Sequence, residues 1–114
     1  ILRSPGGCPW DQQQTHQSLK PHLIEEAYEA LEVLDQIHTP QDVQKPPLLS
    51  ALREELGDVL MQVLIHSELA SEHHAFDFLQ VAEELNKKLI TRHPHVFQSE
   101  AVHSAQEARS QWEK

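Results

Sequence analysis

The chain has 114 residues, of which 39% are hydrophobic, and this length suits one ordinary domain with a core of its own. Eighteen acidic residues against nine lysines and arginines give a formal net charge of -9, which disfavours binding to duplex nucleic acid and suits cations or metal-bound phosphates. There is no recognisable signal peptide and no apolar run long enough to span a bilayer, so we expect no membrane partner.

Cys8 is the only cysteine, which excludes an intrachain disulfide and a thiolate-based zinc site. This usage is compatible with a reducing cytoplasm, where we expect the protein to act. We expect a single domain over residues 1–114. The chain begins at Ile1 rather than at Met, so an excised domain of a longer chain is an open alternative.

The first long helix is predicted from PHLIEEAYEALEVLDQI, residues 21–37, which follows an opening segment rich in Pro and Gly. Pro21 suits the first turn of this helix. Its apolar residues recur at the three-and-four spacing of one packed stripe: Ile24, Ala27, Leu31 and Leu34. In the connector that follows, Thr39-Pro40 predicts a short capped turn, and Pro46-Pro47 prevents a longer element.

The second predicted helix runs from Leu48 to about Glu72 and is apolar on two sides, as a helix in the middle of a bundle is. Capping-box patterns open two further helices: Asp77 with Gln80, and Ser104 with Glu107. The third helix should end near Ile90 and the last near Trp112, with a loop around Pro94 between them. No strand pattern of period two occurs, so the predicted fold class is all-α, a compact bundle of about four helices.

Acidic residues crowd the apolar stripes of both long helices. Glu25 and Glu26 lie four and three residues before Glu29, so the three side chains converge on one flank, where like charges repel by a few tenths of a kcal/mol per pair. Glu55 and Asp58 repeat the arrangement beside the apolar seam of the second helix. If the helices pair antiparallel, these five carboxylates face one another and form a site for hard divalent cations.

A solvated helix face is the alternative explanation for each acidic row, because exposed charge rows are common on helices. Here, however, two acidic rows lie beside the apolar seams of consecutive helices, and only Arg53 is close in sequence to the second row. The metal site and the solvated face are therefore equally open interpretations. A ligand set made of carboxylates, without a helical histidine, favours Mg²⁺ with Mn²⁺ as a possible substitute over zinc or iron.

Four motifs in this order resemble a MazG domain: CPWDQQQTHQSL at 8–19, EEAYE at 25–29, EELGDVLMQVLIH at 54–66 and KLITRHPHVF at 88–97. MazG proteins are a family of all-α nucleoside triphosphate pyrophosphohydrolases, and the resemblance extends from about Leu2 to the closing WEK. It implies magnesium-dependent cleavage of a nucleoside triphosphate between its α and β phosphates, which yields a nucleoside monophosphate and pyrophosphate. It also implies assembly into homodimers or higher homo-oligomers through helix packing.

The resemblance implies that the family's catalytic carboxylates and metal ligands fall on Glu25, Glu26, Glu29, Glu55 and Asp58. One metal would polarise the α-phosphate, and another would neutralise the pyrophosphate leaving group. A carboxylate that metal does not saturate would orient the attacking water, and Glu26 is the candidate for this role.

Five further residues are candidates for substrate binding: Trp10, Asp11, Lys88, Arg92 and His93. Trp10 can stack on a nucleobase or cover the edge of the core, and Asp11 can cap the following turn or join the site. The two basic residues can bind phosphates or complement the dipole of the third helix. Thr91 departs from the family, in which a second basic residue is common there, and this predicts weaker phosphate affinity or an altered substrate choice.

Two other classes of function stay open. A regulatory domain that binds magnesium and nucleotide without turnover needs the carboxylates but no competent phosphate-binding side. A helical oligomerisation module needs neither, and magnesium would not stabilise it.

Overall fold

A computed structural model of the chain describes residues 1–97 and 104–113, and every regular element in these two ranges is helical. The α-helices are α1 (Pro9–Gln13), α2 (His16–Leu34), α3 (Pro46–Glu72), α4 (Phe78–Thr91), α5 (Pro94–Phe97) and α6 (Ala105–Glu113), with a 3₁₀-helix at Pro40–Gln44. The all-α prediction is confirmed. The four longer helices in the described residues correspond to the four that were predicted, whereas the sequence pattern missed the short α1 and α5.

Helix α2 begins earlier than its apolar stripe predicts. The Thr15 hydroxyl accepts a hydrogen bond from the Ser18 amide at 3.0 Å, and the Ser18 hydroxyl accepts one from the Thr15 amide at 2.8 Å. This reciprocal cap starts the helix at His16, so Pro21 lies inside the helix, and the prediction that placed it in the first turn was wrong. The helix ends at Leu34, short of the predicted Ile37.

The connector contains the predicted short turn, because the Asp42 carboxylate accepts hydrogen bonds from the backbone amides of His38 at 2.9 Å and Thr39 at 3.1 Å. Helix α3 then starts at Pro46, two residues before the predicted Leu48. The two prolines occupy its first positions, where no backbone N–H is needed, so they open the helix. Its end at Glu72 agrees with the prediction.

Helices α2 and α3 pack against each other, and the buried core at this contact consists of Leu19, Ile65 and Leu69, with Met61 partly buried beside them. The second apolar side of α3 is more open, since Leu60 is 50% exposed and Leu64 is 38% exposed, and Leu56 on the first side is also 52% exposed. The core therefore lies along one stripe of each helix, and the acidic rows flank it. On α2 the buried residues are Leu19, Ala30 and Val33. The prediction of a packed stripe at Ile24, Ala27, Leu31 and Leu34 was wrong, because these residues are exposed.

The chain divides into two compact units, Ile1–Ala75 and Phe76–Lys114, so the prediction of one domain stays a prediction. In the second unit, the predicted capping box opens α4, with the Gln80 amide 2.9 Å from the Asp77 carboxylate. The Ser104 hydroxyl accepts from the Glu107 amide at 3.1 Å and opens α6, as predicted. None of the helices in the described parts of the chain is long and apolar enough to cross a membrane.

Candidate active site

Four acidic side chains from α2 and α3 come together in one cluster, which we call the carboxylate cluster. It consists of Glu26, Glu29, Glu55 and Asp58, and one carboxylate oxygen from each lies within 4.8 Å of the others. Each helix contributes two residues three positions apart, which is the spacing that places side chains on one flank. The packing of α2 on α3 then brings the two flanks together, as the sequence predicted for these four residues.

The charges of the cluster are poorly compensated by the described residues, 1–97 and 104–113. Within them, Glu26 Oε2 and Glu55 Oε2 are buried and have no hydrogen-bond partner. Burial, and then the nearby Glu29 carboxyl, raise the pKa of Glu26. Burial, and then the charges of Glu29 and Asp58, raise the pKa of Glu55. Four crowded oxygen ligands with unpartnered atoms fit a hard divalent cation of the Mg²⁺ or Mn²⁺ type, which would compensate these charges.

Glu25 is the one predicted ligand that the structure does not bring into the carboxylate cluster. Its side chain is 65% exposed, and its carboxylate lies 3.7 Å from Nδ1 of His22 on the same helix. The side chain leaves the helix one position before Glu26, and this rotation of about 100° is enough to turn it away from α3. Its assignment as a ligand therefore stays a prediction.

Trp10 lies in α1 and borders the acidic flank of α2. Its ring makes an edge contact with the His22 ring, with 5.8 Å between the ring centroids. His22 precedes Glu26 by four residues, so the indole stands about one helical turn from the carboxylate cluster. Trp10 is 52% exposed, which leaves part of its ring open for stacking, and its assignment to the nucleobase stays a prediction.

Asp11 is the third residue of α1, and it caps neither neighbouring helix. The N-cap residue of α1 is Cys8, and that of α2 is Thr15. The interpretation of Asp11 as a cap of the following turn is therefore wrong, because the Thr15–Ser18 box already supplies that cap. Its assignment to substrate binding stays a prediction.

The predicted phosphate-binding residues lie at the C-terminal end of α4, in the second unit. They line a groove of about 500 Å³ whose residues are Glu84, Lys87, Lys88, Thr91, Arg92 and Gln111. The Arg92 guanidinium lies 5.3 Å from the centroid of the Trp112 ring, a cation–π distance. The His93 ring lies 5.7 Å from the same indole, and His93 Nδ1 is 2.8 Å from the Leu89 carbonyl oxygen.

Sequence reasoning missed two features of these regions. Trp112 was treated only as the end of the last helix, although it lies in the WEK that closes the family resemblance. His16 and His66 were not paired, because fifty residues separate them, yet their Nδ1 atoms are 2.7 Å apart and their rings are stacked. Both histidines occur in motifs that carry the resemblance, and this is the signal that would have singled them out.

An all-α protein with carboxylates from two packed helices in one cluster belongs to the class of helical domains that can hold divalent metal ions. The comparison with known families identifies the particular one. The family model for the MazG nucleotide pyrophosphohydrolase domain matches residues 14–97, and the chain belongs to this family.

Named relatives agree with this assignment. The chain is 51% identical to the nucleoside triphosphate pyrophosphohydrolase/pyrophosphatase MazG of Thermotoga maritima over 84% of its own length and 34% of the relative. It is 37% identical to the nucleoside triphosphate pyrophosphohydrolase of Escherichia coli strain K12 over 99% of its length and 40% of the relative. It is also 42% identical to the uncharacterized protein YabN of Bacillus subtilis, of which it covers 21%. The chain thus spans well under half the length of these relatives.

Proposed function

We propose that this domain hydrolyses nucleoside triphosphates between the α and β phosphates, with magnesium as cofactor, to a nucleoside monophosphate and pyrophosphate. The observation that supports this reaction best is the carboxylate cluster, in which buried oxygens of Glu26 and Glu55 lack a partner among the described residues. Crowded carboxylates of this kind are costly for folding, and a cation brought with a triphosphate removes the cost. The names of the Thermotoga and Escherichia relatives are consistent with such a substrate.

Glu26, Glu29, Glu55 and Asp58 are the residues that would hold magnesium. When bound, the metal supplies Lewis-acid polarisation of the phosphates and neutralises the charge that develops on the leaving pyrophosphate. The chain's own contribution is to fix the ligand positions on two packed helices, so that little rearrangement is needed when substrate arrives.

Orientation of the attacking water is assigned to a carboxylate of the cluster that magnesium would not saturate, and Glu26 is the candidate for this role. A carboxylate that accepts a hydrogen bond from water can align one lone pair with the α-phosphorus and take up the proton as the bond forms.

Trp10, Lys88, Arg92 and His93 are assigned to the substrate. The half-exposed indole of Trp10 beside the acidic flank suits stacking on a nucleobase, which is tolerant of base identity. Lys88 and Arg92 line one groove in their unit and supply the positive charge that a triphosphate needs. A homodimer or higher homo-oligomer is the proposed assembly, and the exposed Leu56 and Leu60 side chains on α3 suit helix packing between copies.

Product analysis tests this proposal. The chain is incubated with a panel of ribo- and deoxyribonucleoside triphosphates, with magnesium or with a chelator, and pyrophosphate is distinguished from orthophosphate. Magnesium-dependent release of monophosphate and pyrophosphate is the expected result. Release of orthophosphate and a diphosphate would place cleavage at the wrong bond. Binding of magnesium and nucleotide without any product, by protein shown to be folded, would favour the regulatory domain instead.

A further inference from the structure

Arg3, in the irregular segment before α1, donates four side-chain hydrogen bonds. Its Nε and Nη2 atoms donate to the two carboxylate oxygens of Glu72 at 2.6 and 2.9 Å. Its Nη1 donates to the backbone carbonyl oxygens of Asp11 and, at 2.9 Å, of Gln14. The side chain is only 11% exposed. One guanidinium therefore connects the last turn of α3 with the C-terminal end of α1.

Helix α1 depends on contacts of this kind, which also include a hydrogen bond from Gln14 Nε2 to the Trp10 carbonyl oxygen at 3.0 Å. It has five residues, all within the described part of the chain, and none of them is buried. A helix this short is not stable by itself, and its last carbonyl groups have no partners inside the helix. The Asp11 carbonyl oxygen accepts from the Gln14 amide at 3.2 Å and also from Arg3, which in addition donates to the Gln14 carbonyl oxygen, while Gln12 Nε2 donates to the Ser4 carbonyl oxygen at 2.6 Å.

The contacts require the shape of arginine and not only its charge. The planar guanidinium donates two parallel hydrogen bonds to one carboxylate and still has N–H groups for the carbonyl oxygens, whereas a lysine ammonium is a point charge with three donors. The interaction shifts the pKa values of both partners in the directions that stabilise their charges. The hydrogen bond with Glu72 raises the pKa of Arg3, and the same bond lowers the pKa of Glu72.

We propose that Arg3 is a positioning residue of the nucleotide site, which fixes α1 on the end of α3 and thereby sets Trp10 beside His22 on the acidic flank of α2. The inference rests on the proposed function, since it assigns Trp10 to the nucleobase. Arg3 itself touches neither substrate nor the carboxylate cluster. Its contribution is to reduce the freedom of α1, so that less conformational entropy is lost when the base stacks.

Steady-state kinetics of four variants test this role: Arg3→Met, Arg3→Lys, the exchanged pair Arg3→Glu with Glu72→Arg, and Arg109→Met as control. Arg109 also pairs with a glutamate, Glu113, at 2.9 Å, and its side chain is 80% exposed, so the control removes an arginine–glutamate pair that holds no such helix end. We expect Arg3→Met to raise KM about ten-fold and to change kcat less than about three-fold, because the carboxylate cluster is untouched.

Arg3→Lys and the exchanged pair distinguish a role for all the hydrogen bonds of Arg3 from a role for its ion pair with Glu72 alone. Arg3→Lys keeps the positive charge but loses the planar guanidinium with its parallel donors, so we expect a KM between those of the wild type and of Arg3→Met. The exchanged pair restores opposite charges, yet a glutamate at position 3 cannot donate to the carbonyl oxygens of Asp11 and Gln14. Its KM should therefore stay raised. A KM that returns to the wild-type value in the exchanged pair would show that charge alone is needed, and would overturn the proposal.

A second readout needs no turnover. In a Trp112→Phe background Trp10 is the only tryptophan, and its fluorescence reports the setting of α1. Arg3→Met should increase quenching of Trp10 by acrylamide, while Arg109→Met should leave it unchanged. Unchanged quenching and unchanged KM in Arg3→Met overturn the inference, as does a loss confined to kcat. An inactive wild-type chain would instead contradict the proposed function and the substrate role of Trp10, and quenching would then decide only whether Arg3 fixes α1.

Discussion

Two glutamates on the same helix show opposite behaviour. Glu72, in the last turn of α3, is paired with Arg3, and this hydrogen bond lowers its pKa. Glu55, four to five turns earlier, lies among other carboxylates, and burial followed by the charges of Glu29 and Asp58 raises its pKa. Among the residues that the structure describes, the chain stabilises the charge of Glu72 and leaves the charge of Glu55 uncompensated. Uncompensated charge that persists in a folded protein is typical of a functional site.

The largest effect is expected from removing a charge from the carboxylate cluster. Glu55→Gln should lower turnover at least about 100-fold, because it removes a charged oxygen ligand from a metal site while the size of the side chain is kept. Without magnesium, the variant should unfold at a higher temperature than the wild type, since burial and repulsion of one carboxylate are relieved.

The matched control is Glu54→Gln, which changes the neighbouring, exposed glutamate of the same helix. We expect it to change turnover less than about three-fold. Turnover would be measured by pyrophosphate release and stability by thermal unfolding followed by circular dichroism. Full activity of Glu55→Gln would exclude the carboxylate cluster as the metal site.

The second effect is stabilisation by the metal. A cation that binds only the folded state adds about 1.4 kcal/mol to the free energy of unfolding at ten times its dissociation constant, which corresponds to roughly 5 °C in Tm for a domain of this size. Magnesium should raise the Tm of the wild type by about this amount and should have little effect on Glu55→Gln. Equal shifts in the two proteins would mean that magnesium binds elsewhere or acts only as a salt.

The third effect concerns His16 and His66, whose rings are stacked where α2 packs against the C-terminal half of α3. Burial, and then the charge of His16, lower the pKa of His66 below its usual value of 6.5. The folded protein therefore favours neutral His66, so the unfolded state binds more protons as the pH falls below about 6.5, and stability is lost there. Above that pH the hydrogen bond between the two rings is intact and contributes about 1 kcal/mol.

His66→Gln should thus cost about 1 kcal/mol at pH 8, and the difference from the wild type should shrink towards pH 5. Urea denaturation at both pH values measures this difference. His38→Gln, which changes an exposed histidine of the connector, is the control and should show no such pH-dependent difference. A cost for His66→Gln that is the same at both pH values would show that the ring contributes packing alone.

The sequence predicts the carboxylate cluster better than it predicts the boundaries of the helices that carry it. Spacings of three residues fix which side chains share a flank, because the period of an α-helix is nearly independent of context. This is why Glu26, Glu29, Glu55 and Asp58 were correctly expected to meet. The same reasoning included Glu25, because a spacing of four also shares a flank, but Glu25 leaves α2 about 100° from Glu26 and its side chain is 65% exposed.

Contacts between distant residues were not predictable in this way. The pairing of His16 with His66, and of Arg3 with Glu72, depends on the register of α2 and α3 and on the path of the opening segment, neither of which leaves a local pattern. The start of α2 was missed for a different reason. Its capping box uses Ser18 where the usual signature has Glu or Gln, so the pattern that marks a helix start was absent.

The smallest effect is expected at Asp42, an acidic residue that is fully stabilised by its surroundings and therefore contrasts with Glu55. A hydrogen bond with the Lys45 side chain, followed by those from the amides of His38 and Thr39, lowers the pKa of Asp42 to about 2. Because the folded-state pKa is below the unfolded value of 3.8, this carboxylate stabilises the protein above that value, and the stabilisation is lost as the pH falls towards 2.

Asp42→Asn should therefore lower the Tm slightly at pH 5, where the charged carboxylate accepts from both amides, and the difference from the wild type should vanish near pH 2. Lys45→Met removes the largest cause of the lowered pKa of Asp42. In proteins that carry Lys45→Met, the Tm difference between the form that keeps Asp42 and the form with Asp42→Asn should therefore disappear at a higher pH than in proteins that keep Lys45. Thermal unfolding at pH 5, 4, 3 and 2 measures both effects. A Tm difference that is constant over this range would mean that Asp42 holds the turn by shape rather than by charge, and the contrast with Glu55 would then not be electrostatic.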